Sequence, residues 1–180
     1  MMYRSFSSAL LASALVIAPL PMMAQGAAAP KIADAEVAHI VVTANTIDVD
    51  QGNLALKKSS NAQVKQFAQT MVTDHNAVNA AAAALAKKLN VTPHDNAVSQ
   101  SLNKEAKAVA DTLNRLSGSA FDRAYINREA AFHAAVIDAL DKVLLPATTN
   151  AELKATLIKY RPLFVAHLEH ARSLQKSLAQ

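Results

Sequence analysis

Val64, Ala68, Met71, His75, Val78, Ala82, Leu85 and Leu89 follow one another at alternating steps of four and three residues. This spacing keeps one narrow edge of an α-helix apolar over about seven turns. So long a seam has to be laid against other helices, and the expected setting is an antiparallel bundle. The spacing returns at Leu153, Leu157, Tyr160, Phe164, His167, Ala171, Leu174 and Leu178. In both seams the polar residue at mid-length is a histidine. A side chain that titrates near neutrality thus sits twice where a core residue belongs.

The rest of the chain suits the same architecture. Strict alternation of apolar and polar residues is rare, so strands are not expected. Breakers and caps divide the sequence into five helices. The first is expected over Ala33–Lys57 and ends at Ser59-Ser60-Asn61. The second reaches Leu89, where Asn90-Val91-Thr92-Pro93 stops it, and a shorter, more polar one spans Ala97–Leu116. The fourth runs to Leu145, closed by Pro146, and the fifth continues to the C-terminus with a kink expected at Pro162. Three Ser/Thr-x-x-Glu/Gln/Asp patterns predict capping boxes: Ser60 with Gln63, Ser119 with Asp122, and Thr149 with Glu152. The predicted fold is all-α, an antiparallel four-helix bundle with an additional shorter helix.

The N-terminus reads differently. Arg4 precedes an apolar run from Ala9 to Leu20, and small residues follow in AQGAAAP. This is the order of a secretory signal peptide, with Ala24-Gln25-Gly26 fitting the cleavage rule. The run is shorter than the roughly 20 residues a membrane span needs, which argues against a retained anchor. The expected organisation is a signal peptide at 1–26, a linker at 27–32 and a helical domain at 33–180. Export to the periplasm follows, with outer-membrane association a further option, and no transmembrane segment is expected in the mature chain. About 150 residues remain, enough to bury about two thirds of the unfolded surface in one core. The chain has no cysteine, which excludes disulfides and thiolate metal sites. Loss of Arg4 takes the net charge from +4 to +3, with the remaining cations scattered. Nucleic-acid binding would need a basic stripe interleaved with aromatics, so nucleic acid is not expected as a partner. A protein of the envelope, or a second copy of the chain, is.

A buried imidazole left unpaired costs about 1–3 kcal/mol, so each seam histidine must bond or ligate something. One alone reads as a structural residue. Two at matching depth on different helices point to a metal site of the kind built inside bundles. Asp48 lies beside the stripe of the first helix. Asp122, Tyr125, Glu129 and His133 form one column of the fourth at steps of three and four, with Phe132 and Val136 on the same side. The candidate ligands of a single zinc, copper or iron ion are therefore His75, His133 and His167, with Glu129 or Asp48. Folding the helices at their turns puts His75, Glu129 and His167 at one level. The same count puts His133 about two turns, or ~9 Å, away. Asp74 cannot share the face of His75 and is a surface acid or a holder of a ligand. Met71 reads as core packing, with soft copper ligation as the alternative. Glu36 and His39 have a carboxylate–histidine spacing but lie near a helix end and read as solvated. His170, three after His167, reads as exposed, with ligation beside His167 as the alternative, and His94 reads as a loop residue beside Pro93 with no specific role. Nothing in the sequence supports nucleophilic or phosphate chemistry.

The stretches GNLALKKSSNAQVKQFAQTMVTDHNAVN, SGSAFDRAYINREAAFH and HLEHARSL resemble an exported bacterial family, domain of unknown function 4142, sometimes labelled as outer-membrane protein. The resemblance spans nearly the whole mature chain. It implies a ferritin-like helical bundle and no established activity. It draws attention to Asp74, His75, Phe121, Asp122, Tyr125, His133 and His167. The family usually carries glutamate where this chain has Asp48, which shortens the reach from the first helix. Di-iron bundles need Glu-x-x-His pairs, and the residues three before His75 and His167 are Val72 and Phe164. A mononuclear site fits this inventory better. Three readings follow: a metal-binding module acting in metal handling or envelope stress, a structural or interaction protein with satisfied core histidines, and a metal-dependent enzyme.

Overall fold

The computed structural model describes residues 32–179. The signal peptide read at 1–26, and all of the linker except Ile32, lie outside the described residues. The regular structure of the described residues is all helical: α1 (Asp34–Lys58), α2 (Ala62–Leu89), α3 (Ala97–Arg115), α4 (Gly118–Ala139) and α5 (Ala151–Leu178). None of these helices is long and apolar enough to cross a membrane. Beyond Ala139 the fourth helix continues through a π-helical turn, Leu140–Leu144, and a last piece, Leu145–Ala147. In that turn the Leu145 N–H reaches back five residues to the Leu140 carbonyl. Pro146, expected to close the helix at Leu145, therefore sits inside its final turn. α5 likewise runs unbroken through Pro162. The missing N–H of Pro162 falls beside exposed surface, since Ile158, one turn earlier, is 55% accessible.

Three of the five helix starts are set by asparagine, and the three predicted capping boxes do not form. Asn61 Oδ1 accepts from Gln63 N at 2.9 Å and Val64 N at 3.2 Å. Asn150 Oδ1 accepts from Glu152 N and Leu153 N, both at 3.0 Å. Asn96 does the same for α3, through Val98 N and Ser99 N. Asn61 and Asn150 lie one residue past the expected Ser60 and Thr149, and each of the three asparagines satisfies two free N–H groups with one oxygen. Thr149 is drawn elsewhere: its N–H and hydroxyl both donate to Asp34, at 2.8 and 2.6 Å, tying the start of α1 to the loop before α5. At the third predicted box the helix begins earlier, at Gly118, and Ser117 makes no capping bond. Gly118 takes φ +53°, which glycine adopts without the strain a Cβ would add. Asp122, expected to cap, is buried instead.

α1 packs along α2, and α4 along α5. α2 also meets α5, α1 meets α4, and α3 lies against α1. At one point α1 and α2 nearly touch: a Cβ on Gly52 would stand 3.0 Å from the Ala68 carbonyl oxygen and 2.8 Å from Val72 Cγ2. Two apolar clusters form the main core. One joins Ala55, Phe67, Met71, Phe121, Tyr125 and Ala171. The other joins Val37, Ile40, Val78, Leu140, Leu157 and Phe164. Met71, considered as a soft ligand, packs fully buried in the first cluster. On each of the four long helices the sequence between these clusters carries buried polar residues: Asp48, His75, Glu129 with His133, and His167.

Candidate metal centre

The five residues singled out in the sequence come from four helices and meet in one dry layer. His75, His133 and His167 are 2%, 1% and 2% exposed, Asp48 is 2% and Glu129 0%. The three imidazoles form a near-equilateral triangle. Ring centroids lie 5.5 Å apart for His75–His133, 5.1 Å for His75–His167 and 5.3 Å for His133–His167. One ring nitrogen from each lies within 4.8 Å of one from each of the others. Asp48, Glu129 and His133 form a second group of the same tightness, so His133 belongs to both.

His133 is therefore not two turns away from the other histidines, and the count of backbone rise fails here. Helical side chains lean toward the N-terminal turn. The His133 ring reaches back far enough to donate from Nδ1 to the carbonyl of Glu129, at 3.0 Å.

Hydrogen bonds fix the tautomer of each ring. The Asn45 amide donates to the Val41 carbonyl at 2.7 Å, which turns its oxygen toward His75. His75 Nδ1–H then donates to Asn45 Oδ1 at 2.6 Å. His167 Nε2–H donates to Asp74 Oδ2 at 3.0 Å. His133 Nδ1–H donates to the Glu129 carbonyl, as above. The remaining nitrogens, His75 Nε2, His133 Nε2 and His167 Nδ1, are buried with no hydrogen-bond partner. Asp48 Oδ1 and both Glu129 carboxyl oxygens are in the same condition. His75 Nε2 stands 3.5 Å from Asp48 Oδ2.

Burial sets the charge state. It pushes His75 down to about 2, helped by the neighbouring His133 and His167. It pushes His133 down to about 4, again with His167 opposing a second charge. His167 is also lowered by burial, against the pull of Asp74. All three rings are thus neutral near pH 7, the form that offers a lone pair to a metal. Burial raises Glu129 to about 7, with Arg128 opposing. It raises Asp48 as well, reinforced by the nearby charge of Glu129. The paired carboxyls therefore hold protons well above the ordinary carboxylate range. Tyr125 is raised by burial and then by the same two carboxyls.

The family model described as Domain of unknown function (DUF4142) matches residues 19–174. The chain belongs to this family. Searches of curated proteins and of solved structures found no match. The family's description assigns no activity, so the chemistry of the site has to be read from its own residues.

The remaining candidates fall into place around the centre. Asp74 is not a ligand to the same point as His75; it holds His167. Phe121 and Tyr125 stack at 6.2 Å in the core, and the Tyr125 hydroxyl has no partner. Phe132 is buried and Val136 half-buried, as their side of α4 required. His170 and His94 are exposed. Glu36 and His39, expected to be solvated, are half-buried and structural. Glu36 accepts from Ala33 N at 2.9 Å, and His39 Nδ1 lies 2.9 Å from Ser99 Oγ, linking α1 to α3. The sequence reading missed Asn45, Gln51 and Arg128. Asn45 and Gln51 stand three residues either side of Asp48, so α1 carries a polar column inside its apolar stripe. That column was the available signal for both.

Proposed function

We propose that this protein binds a single transition-metal ion, zinc, copper or iron, through His75, His133 and His167, with Asp48 or Glu129 completing the set. One observation carries the reading. Each of three clustered, buried imidazoles gives one N–H to an acceptor outside the cluster and leaves the other nitrogen unpartnered. Metal-ligating histidines are held in this way, by an outer carboxylate, carbonyl or amide that fixes the tautomer. Unpartnered buried polar atoms otherwise cost about 1–3 kcal/mol each, and coordination would relieve several at once. Three nitrogens and a carboxylate suit zinc, copper or iron better than magnesium or calcium.

The scaffold we propose is a ferritin-like antiparallel four-helix bundle of α1, α2, α4 and α5, with α3 as the additional helix. The two core clusters support it. One takes the C-terminal parts of α1 and α5 and the N-terminal parts of α2 and α4; the other takes the opposite ends. Residues 1–26 support an exported, periplasmic protein, whose role would lie in metal handling or envelope stress.

Elemental analysis of protein produced without a tag tests the reading. About one equivalent of metal is expected, with calorimetry showing saturable uptake of zinc, copper or iron. His75→Ala combined with His167→Ala should abolish uptake. If none of the three metals binds and the melting temperature is unmoved by them, the histidines are structural core residues and the protein serves another purpose.

A further inference from the structure

A cavity of about 440 Å³ lies beside the metal centre, bounded by α1, α3 and α4. Small-molecule sites occupy roughly 300–1,000 Å³ and combine apolar walls with a few polar groups. This cavity has that character. Ile40, Ala44, Leu102, Phe132 and Val136 give it an apolar lining. The π-helical turn contributes Leu140 and Val143, and such turns recur at functional sites. Asp48, His75 and His133 reach it from the centre, and Arg128 forms part of the wall.

Arg128 is the group that selects an occupant. Its guanidinium lies over the Phe132 ring, 3.8 Å from the centroid. Nε and Nη1 are buried and have no hydrogen-bond partner. The carboxylates of the centre stand against histidines, and among the described residues none forms an ion pair with Arg128. A guanidinium held against an apolar cavity matches one ligand group above others: a carboxylate, which its N–H groups can hold by charge-assisted hydrogen bonding. An amine would be repelled. A phosphate would bring more charge than one guanidinium can answer. The volume suits a compact single-chain molecule rather than a two-chain lipid.

We infer that the cavity holds an amphipathic carboxylic acid, its carboxylate on Arg128 and its hydrocarbon body among α1, α3 and α4. This site does not depend on an ion at the histidines, so it goes beyond the metal reading and is tested without metal.

The experiment is calorimetry and thermal melting of the chelator-treated protein with decanoate, decanol and acetate, each below any micellising concentration. Decanoate should bind saturably and raise the melting temperature. Decanol, which lacks the charge, should bind about tenfold more weakly, the loss expected for a charge-assisted hydrogen bond. Acetate, which lacks the body, should not bind measurably. Arg128→Met should bring decanoate down to the affinity of decanol, and Val136→Phe, which fills the cavity, should weaken both. Arg128 is half-buried, so its variant remains decisive if Val136→Phe fails to fold. Equal binding of decanoate and decanol, no saturable binding, or unchanged decanoate binding in Arg128→Met would overturn the proposal. So would binding that appears only after zinc loading and ignores Arg128→Met, because the carboxylate would then sit on the ion. Failure of the metal reading would show as no zinc uptake and would leave these titrations readable.

Discussion

His167 donates from Nε2 to Asp74, an acid whose side chain is 32% exposed, and so turns Nδ1 toward the other two rings. Asp74→Asn keeps an acceptor but removes its charge. Outer-shell changes of this kind cost about 10- to 100-fold in metal affinity. Calorimetry should show that loss, with little change in the stability of the metal-free protein. An unchanged affinity would mean that His167 is not a ligand.

The metal-free layer also makes a pH forecast, in which two contributions oppose each other. Unfolded imidazoles titrate near 6.5, whereas His75 and His133 fall to about 2 and 4 when folded. On acidification below 6.5 the unfolded chain takes up protons that the native chain refuses, and stability is lost. Glu129 acts with the reverse sign: at about 7 folded against 4.5 unfolded, it holds a native proton throughout that interval. Its contribution is complete below 4.5 and is lost as pH rises through 7. Wild type should therefore lose stability gently between pH 6.5 and 4.5, and more steeply just below 4.5, until native His133 itself charges near 4. Glu129→Gln removes this proton and leaves Asp48 as the other opposing group, so denaturant titrations of chelated protein should show a steeper acid loss between 6.5 and 4.5. Parallel curves for the two proteins would show that Glu129 does not carry that proton. The identities of the five site residues were legible because each interrupts an apolar stripe or extends a column. Their meeting at one level was not, because it depends on the height at which the connections set each helix against its neighbours.

At the scale of the helix, the sequence resolved long seams better than ends. α1, α2 and α3 lie within about a residue of where periodicity placed them, because one buried edge repeats many times and outweighs any single position. The caps of α2 and α5 were misassigned because serine, threonine and asparagine all cap, and the choice depends on competing bonds. Asp34 captures Thr149, and Asn150 is left to cap. The π-helical turn was not legible at all; it adds no residue type that periodicity would notice. Gly52 is a sharper case, since glycine inside a helix ordinarily costs about 1 kcal/mol against alanine. Here the Cβ would press on the Ala68 carbonyl, part of a backbone held by the packing of α2. The clash outweighs the propensity, so Gly52→Ala should destabilise by about 1–3 kcal/mol, the usual cost of overpacking. Thermal unfolding followed by circular dichroism decides the sign. A rise in melting temperature would mean that α1 can move away from α2 at little cost.

Across the whole molecule, two apolar clusters are separated by a layer whose polar atoms lack partners. The layer draws residues from α1, α2, α4 and α5, so an ion held there would join four helices at mid-length. Ligation of that kind acts on global unfolding, because the unfolded chain cannot assemble the three imidazoles. With free ion at about 1,000 times the dissociation constant, linkage gives about 4 kcal/mol. For a domain of this size each kcal/mol moves the melting temperature by about 2–4 °C, so a rise of roughly 8–16 °C is expected. Hydrogen exchange should slow together in all four helices around the layer, rather than in one. The same rise in the His75→Ala, His167→Ala double variant would place the ion elsewhere on the molecule. Slowing of exchange confined to α4 would mean that Glu129 and His133 bind alone, without the rings from α2 and α5.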